Sequence, residues 1–229
     1  MIGVLWLYCR FFNGSWIKGK TADIRRENFR RTKLTPSIRK KGLLLAILFV
    51  IIVQGSFVIT YRLIEFPAAQ FTADYKIIDE FPLWQAWLIL IMGSIVAGIC
   101  EEVGFRGYMQ VPMEKRYGMA IAVAITSLVF TATHLGHTWA HPILPHIFFA
   151  SVLLGLIAYH TNSLIPGIIG HSILDIFDYS IWWTDITGGF IRQPVFRTGV
   201  DAHFIFWVIT FVIACISFFW IINLLKVDK

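Results

Sequence analysis

Trp84–Gly107 reads WQAWLILIMGSIVAGICEEVGFRG, a long apolar run that ends in two adjacent carboxylates, Glu101 and Glu102, with Arg106 one helical turn beyond. A membrane-spanning helix needs about 20 largely apolar residues, and this run supplies them. Inserting a central Asp, Lys or Arg costs roughly 2.5–3.5 kcal/mol each, so ionisable groups at depth pair, face the bundle interior and mark function. Glu102 and Arg106, spaced i, i+4, can pair on one face. Glu101 is rotated from Glu102 by about 100° and is left without that partner. One carboxylate is therefore available for structure and the other for chemistry.

Outward from this run, five further segments approach spanning length: 43–61, 119–134, 143–160, 164–183 and 204–225. The mean hydropathy of +0.68, with 57% hydrophobic and 15% charged residues, is far from a soluble domain, in which about a quarter of residues are charged. The expectation is an all-α, polytopic transmembrane bundle of about six spans forming one domain, 43–229, with its chemistry in 84–183. Segment 119–134 is short and runs into Gly136, Pro142 and Pro145, so it is expected to stop inside the protein. Met1–Phe12 is too short to span and reads as an interfacial anchor. No small-residue cleavage site follows it, so a cleaved signal peptide is not expected.

Most of the formal net charge of +6 lies between Lys18 and Lys41, directly ahead of the first long apolar segment. Residues 1–42 thus form a basic cytoplasmic or interfacial arm. Along an anionic inner leaflet each of its charges contributes about 1 kcal/mol; the partner is the bilayer, not nucleic acid. The loop 62–83 carries Glu65, Asp74, Asp79 and Glu80 against Arg62 and Lys76, whereas the arm, the turn at Lys115 and Arg116, and the tail with Lys226 and Lys229 are basic. Both termini are then cytoplasmic, in an inner or plasma membrane; Arg192 and Arg197 in the loop 184–203 run against this. Cys9, Cys100 and Cys215 are far apart and imply neither a disulfide nor a zinc site.

Two other spans carry polar groups at matching depth. Phe130-Thr131-Ala132-Thr133-His134 ends an apolar helix with an imidazole, and His171-Ser172-Ile173-Leu174-Asp175 puts a His and a carboxylate one turn apart. If the second and third spans form an antiparallel pair about a turn at Gly118, Glu101 lies seventeen residues before it and His134 sixteen after. At about 1.5 Å per residue both stand about 25 Å from the turn. A helix from Trp84 to Tyr117 would be about 50 Å long against a hydrocarbon core of roughly 30 Å, so part of the hairpin protrudes and both residues fall in the inner half of the membrane. His171, about eight residues past the Thr161-Asn162-Ser163 turn, is then about 12 Å deep. A single inward-opening cavity can hold all three.

A Glu beside an imidazole in a partly dry cavity can share the proton of a trapped water and make it a nucleophile. Attack on an amide creates a negative oxygen that needs preorganised donors; His171 can supply one, with Asp175 orienting it. Glu101-Glu102-x-x-x-Arg106, Phe130-x-x-x-His134 and His171-x-x-x-Asp175, in this order, resemble the three motifs of the CAAX protease and bacteriocin-processing (CPBP, or Abi) family of intramembrane peptidases. The likeness covers roughly residues 84–183. It implies a glutamate-dependent endopeptidase acting on a membrane-associated peptide or protein. Glu101 and His134 would activate water, His171 and Asp175 would form the oxyanion side, and Glu102 with Arg106 would brace the site, without a cofactor. Some descriptions of the family instead make the Glu and His residues ligands of a divalent metal, here Glu101, His134 and His171. Metal-free hydrolysis is favoured because the H-E-x-x-H helix of zinc proteases is absent. Prenyl-protein members often have Asn where this chain has Asp175, which fits the bacterial-type members better.

Intramembrane Glu, His and Asp also build proton relays, so a proton-coupled transporter is the rival from another class; the halves show no internal repeat of the kind transporters carry. A haem cytochrome ligated by His134 and His171 would leave Glu101, Glu102 and Arg106 unexplained. A non-catalytic bacteriocin-immunity-type membrane protein is a further alternative. The aspartyl G-x-G-D motif is absent. His137, His141 and His146 surround Gly136, Pro142 and Pro145 and read as solvated or interfacial. His160 suits a helix C-terminal dipole, and His203 lies in the outer loop. Trp84, Trp87, Trp182 and Trp183 read as interfacial belts.

Overall fold

The computed structural model describes residues 2–30, 35–64, 78, 80–184, 186–187 and 193–227, and these are helical with no strand among them. The helices are α1 (Ile2–Phe12), α2 (Lys20–Asn28), α3 (Pro36–Ile64), α4 (Leu83–Tyr117), α5 (Met119–Thr133), α6 (Leu144–Thr161), α7 (Ile165–Asp178), α8 (Val195–Thr198) and α9 (Ala202–Val227). Of the six expected spans, four are long and apolar enough to cross a membrane: Pro36–Ile64, Leu83–Tyr117, His141–Thr161 and Ala202–Lys226. The other two are shorter, α5 with 15 residues and α7 with 14 before its winding changes. Leu88, Ile89, Phe206, Ile213, Ile216 and Trp220 lie exposed on α4 and α9, the surface that an integral membrane protein turns to lipid.

α3 begins on Pro36, a residue pre-set for the first helical position, and the Thr35 hydroxyl accepts from the Ile38 N–H at 3.3 Å. Of its most apolar 18-residue stretch 67% is buried, so it stands largely inside the bundle, with Leu43, Leu44 and Ile47 turned outward. It packs against α6, α7 and α9, and Leu45, Phe49 and Ile52 meet Leu154, Ile157 and Phe218 in the main core. α4 and α5 form the expected hairpin about Gly118, whose φ of 81° is cheap only for glycine. α4 also lies close along α7: a Cβ on Gly98 would stand 3.2 Å from the Ile168 carbonyl oxygen. Small residues at such crossings let helices in lipid approach closely.

Two features depart from the sequence reading, the winding of α4 and the place of Trp182. α4 is not uniformly wound: Leu83–Glu101 is α-helical, Glu102–Met109 is a π-helix, and Gln110–Tyr117 is α-helical again. A second π segment, Tyr179–Trp183, continues α7. Within the arm, Tyr8, Phe12 and Phe29 pack against Val103, Ala158 and Leu164, and Arg39–Lys41 belong to α3. Trp182 is not at an interface. It is 6% exposed, its Nε1–H donates to Gln54 Oε1 at 3.2 Å, and its ring stacks edge-on with Phe57 at 4.3 Å between centroids. Trp84, 66% exposed, does suit a belt. The charges Arg31, Lys33, Glu65, Asp74, Lys76, Asp79, Arg192 and Lys229, on which part of the topology reading rests, lie outside the described residues.

Opposite the Gly118 turn, the buried Arg62 guanidinium joins the end of α3 to the start of α9. Its Nη2 is 2.8 Å from Asp201 Oδ2 and 3.2 Å from the Thr198 hydroxyl. Hydrogen bonds from Arg62 and from the Phe204 N–H hold the Asp201 carboxyl down at about 2, below the ordinary 3.8. A carboxyl depressed in the folded state contributes stability that is present above its unfolded value and lost as pH falls toward the folded one. Wild type should therefore lose stability between about pH 4 and pH 2, and the Asp201→Asn variant should lack this increment when the two are unfolded side by side in detergent.

Candidate active site

Glu101 ends the α-helical part of α4 and Glu102 opens its π segment. π-helical turns are rare and concentrate at functional sites. Glu102 and Arg106 are both fully buried, and Glu102 Oε1 lies 3.1 Å from Arg106 Nη1. Arg106 Nη2 donates to the Ser151 hydroxyl at 2.9 Å and to its carbonyl at 3.2 Å. The guanidinium also lies 4.6 Å above the Phe130 ring. Phe130 thus roofs the ion pair and faces the site with its other contacts, 4.9 Å from the His134 ring and 6.1 Å from that of His171. Shielding of this kind strengthens the pair, and makes it costly to break.

His171 is nearly buried on α7, and its Nδ1 stands 2.9 Å from Glu102 Oε1. A carboxylate can only accept, so Nδ1 carries the hydrogen and Nε2 faces the remaining acids. Nε2 is 3.6 Å from Glu101 Oε2 and 3.7 Å from Asp175 Oδ1. These separations exceed a direct hydrogen bond. The carboxylate that orients His171 is therefore Glu102. Asp175, expected in that role, stands on the other side of the imidazole, because the π winding brings Glu102 to α7. His134 caps α5, and its Nδ1 lies 2.9 Å from the Phe130 carbonyl, which leaves the lone pair on Nε2.

Glu101, His134, His171 and Asp175 line one cavity of about 130 Å³, walled by apolar groups including Val53, Leu154 and Leu174. That is room for several waters beside polar partners. Glu102 and Arg106 are not in its lining; they lie behind it, as supports for His171. The cavity also contains Asp178 and His146, two residues the sequence reading did not assign to the site. Asp178 Oδ1 accepts a short hydrogen bond from Gln54 Nε2. Its spacing of i+7 from His171 was a usable sign that it shares the face of Asp175. His146 is not merely solvated: it lies 3.2 Å from the Thr60 hydroxyl, because the 3₁₀ turn Thr138–Ile143 carries the chain back over the cavity. Ser151 and Gln54 gave no signal of their own. Among the described residues, no group of three or more His, Cys, Asp or Glu side chains is placed to hold a metal ion.

Residues 82–177 match the family described as Type II CAAX prenyl endopeptidase Rce1-like. The matched interval contains all six residues from Glu101 to Asp175 and stops one short of Asp178. No curated protein and no solved structure matches the chain.

Proposed function

We propose, from the premise that residues 82–177 belong to the type II CAAX prenyl endopeptidase Rce1-like family, that this chain is an intramembrane endopeptidase whose nucleophile is a water activated by Glu101. The observation that carries this reading is the division between two neighbouring carboxylates. Glu102 is closed off by Arg106 and His171, whereas Glu101 keeps 35% of its side chain exposed beside His171. In the proposed step, the water oxygen bonds to the scissile carbonyl carbon while Glu101 takes its proton, and the carbonyl electron pair moves to oxygen. His134 orients the water through Nε2. His171, with its Nδ1–H fixed by Glu102, acts as the imidazolium, whose Nε2–H stabilises the oxyanion. The tetrahedral intermediate collapses, the amine leaves, and Glu101 returns the proton to it.

No covalent enzyme intermediate forms on this route. The test is incubation of the purified protein in liposomes with membrane-associated peptides, one set prenylated at a C-terminal motif and one unmodified, in oxygen-18 water. Cleavage with label in the new carboxylate and no hydroxylamine-trapped product is expected. A trapped acyl product, or no cleavage of either set, would reject the reading. The end carrying α1, α2, Lys115 and Arg116 is assigned to the cytoplasm, and the Arg62–Asp201 end to the opposite side.

Asp175 stands where an amide is common among prenyl-protein members of the family. Asp175→Asn should keep kcat within about threefold, because the amide preserves shape and adds an N–H donor to the oxyanion side, whereas Asp175→Ala should lower kcat about 10- to 100-fold. Equal losses in the two variants, read by initial rates, would assign Asp175 a role that needs its charge.

A further inference from the structure

The N-terminal arm brackets the π segment that carries the two glutamates. At its start, the Tyr8 hydroxyl donates to the Cys100 carbonyl at 3.2 Å, one residue before Glu101. At its end, the Tyr108 hydroxyl donates to the Phe12 carbonyl at 2.5 Å, and a Cβ on Gly107 would collide with the Asn28 carbonyl. The rings of Phe12 and Tyr108 meet edge-on at 5.1 Å between centroids.

Arg30 secures the arm. It is 5% exposed and has a left-handed φ of 46°, a conformation that a non-glycine residue holds only when its surroundings require it. Its Nη1 donates to the Ala158 carbonyl at 2.7 Å, and its Nη2 pairs with Glu114. Glu114 in turn accepts from Gln110 Nε2 at 2.6 Å, and that amide also donates to the Gly155 carbonyl at 3.0 Å. One buried chain of hydrogen bonds thus links the arm, the helix just beyond the π segment, and α6. Wide i→i+5 winding is intrinsically unfavourable and rare; in an apolar setting its backbone groups need partners from neighbouring elements. The arm supplies such a partner at the carbonyl preceding Glu101.

We infer that α1 and α2 form a positioning brace for the active site, with Tyr8 and Arg30 as positioning residues that hold the π segment and thereby aim Glu101 and Glu102. This rests on the peptidase reading above. The test uses the full-length chain in liposomes, comparing wild type, Tyr8→Phe, Arg30→Gln and Arg30→Lys, with Glu101→Gln as reference. Tyr8→Phe and Arg30→Gln should each lower kcat about three- to ten-fold with KM unchanged, since small misplacements of catalytic groups act on the chemical step. Amide exchange should quicken in 100–109 and stay unchanged in 205–225, and Arg30→Lys should restore part of both effects.

Unchanged exchange in 100–109, or exchange that rises uniformly along the chain, overturns the brace, as does an unchanged kcat or a loss that falls on KM instead. The peptidase reading fails separately, if Glu101→Gln cleaves as wild type does; the exchange measurement still reports whether the arm holds the segment.

Discussion

Glu101→Gln is expected to lower kcat at least about a thousand-fold, within the range that general-base catalysis contributes. The amide keeps the shape of the carboxylate but cannot take a proton from water. Because Glu101 is partly open to the cavity and lies 3.6 Å from the His171 imidazole, beyond a direct hydrogen bond, the fold should not depend on its charge. Unfolding stability should change by no more than about 0.5 kcal/mol. Initial-rate kinetics together with a detergent unfolding curve make the check. Wild-type cleavage would remove Glu101 from the chemistry, and loss of the folded state would make the carboxylate structural. The corresponding Glu102→Gln variant should separate the two acids, since Gln can still accept from His171 but loses the ion pair with Arg106.

Arg106→Met should destabilise the protein by about 3–5 kcal/mol, the cost of breaking a buried pair from one side. Glu102 would be left charged in a site with no exposure, and its Oε2 already has no hydrogen-bond partner. Adding Glu102→Gln to Arg106→Met removes the uncompensated charge, so most of the lost stability should return. The coupling is measured by a double-mutant cycle of unfolding free energies in detergent. A single Arg106→Met loss below about 1 kcal/mol, or no recovery in the double variant, would show that the fold does not depend on the pair.

Much of the architecture was legible because membrane helices announce themselves through apolar length, and because charged groups are too costly in lipid to be scattered without reason. The hairpin at Gly118 needed only helix geometry and a glycine. The fifteen-residue α5, ending at the imidazole that faces the cavity, was legible in the same way. The limits are as specific. A π segment leaves no trace in hydropathy, since Val103, Phe105 and Tyr108 would be apolar in either winding. Ser151 and Gln54 carry no charge that would draw notice, and the buried position of Trp182 depends on contacts far along the chain. His146 reached the cavity through a 3₁₀ turn that the prolines signalled only as a break.

By itself, the sequence determined that the chain is a helical membrane protein and which acids and imidazoles stand at a common depth, because period, length and hydrophobic cost are local properties of a strand of residues. The tertiary structure decided what surrounds each carboxylate: Glu102 is closed off by Arg106 and by His171 from α7, and Glu101 stays partly exposed beside the His171 ring. Only packing could decide that, since the backbone pays for an unfavourable turn through partners that α1, α2, α6 and α7 bring from distant parts of the chain.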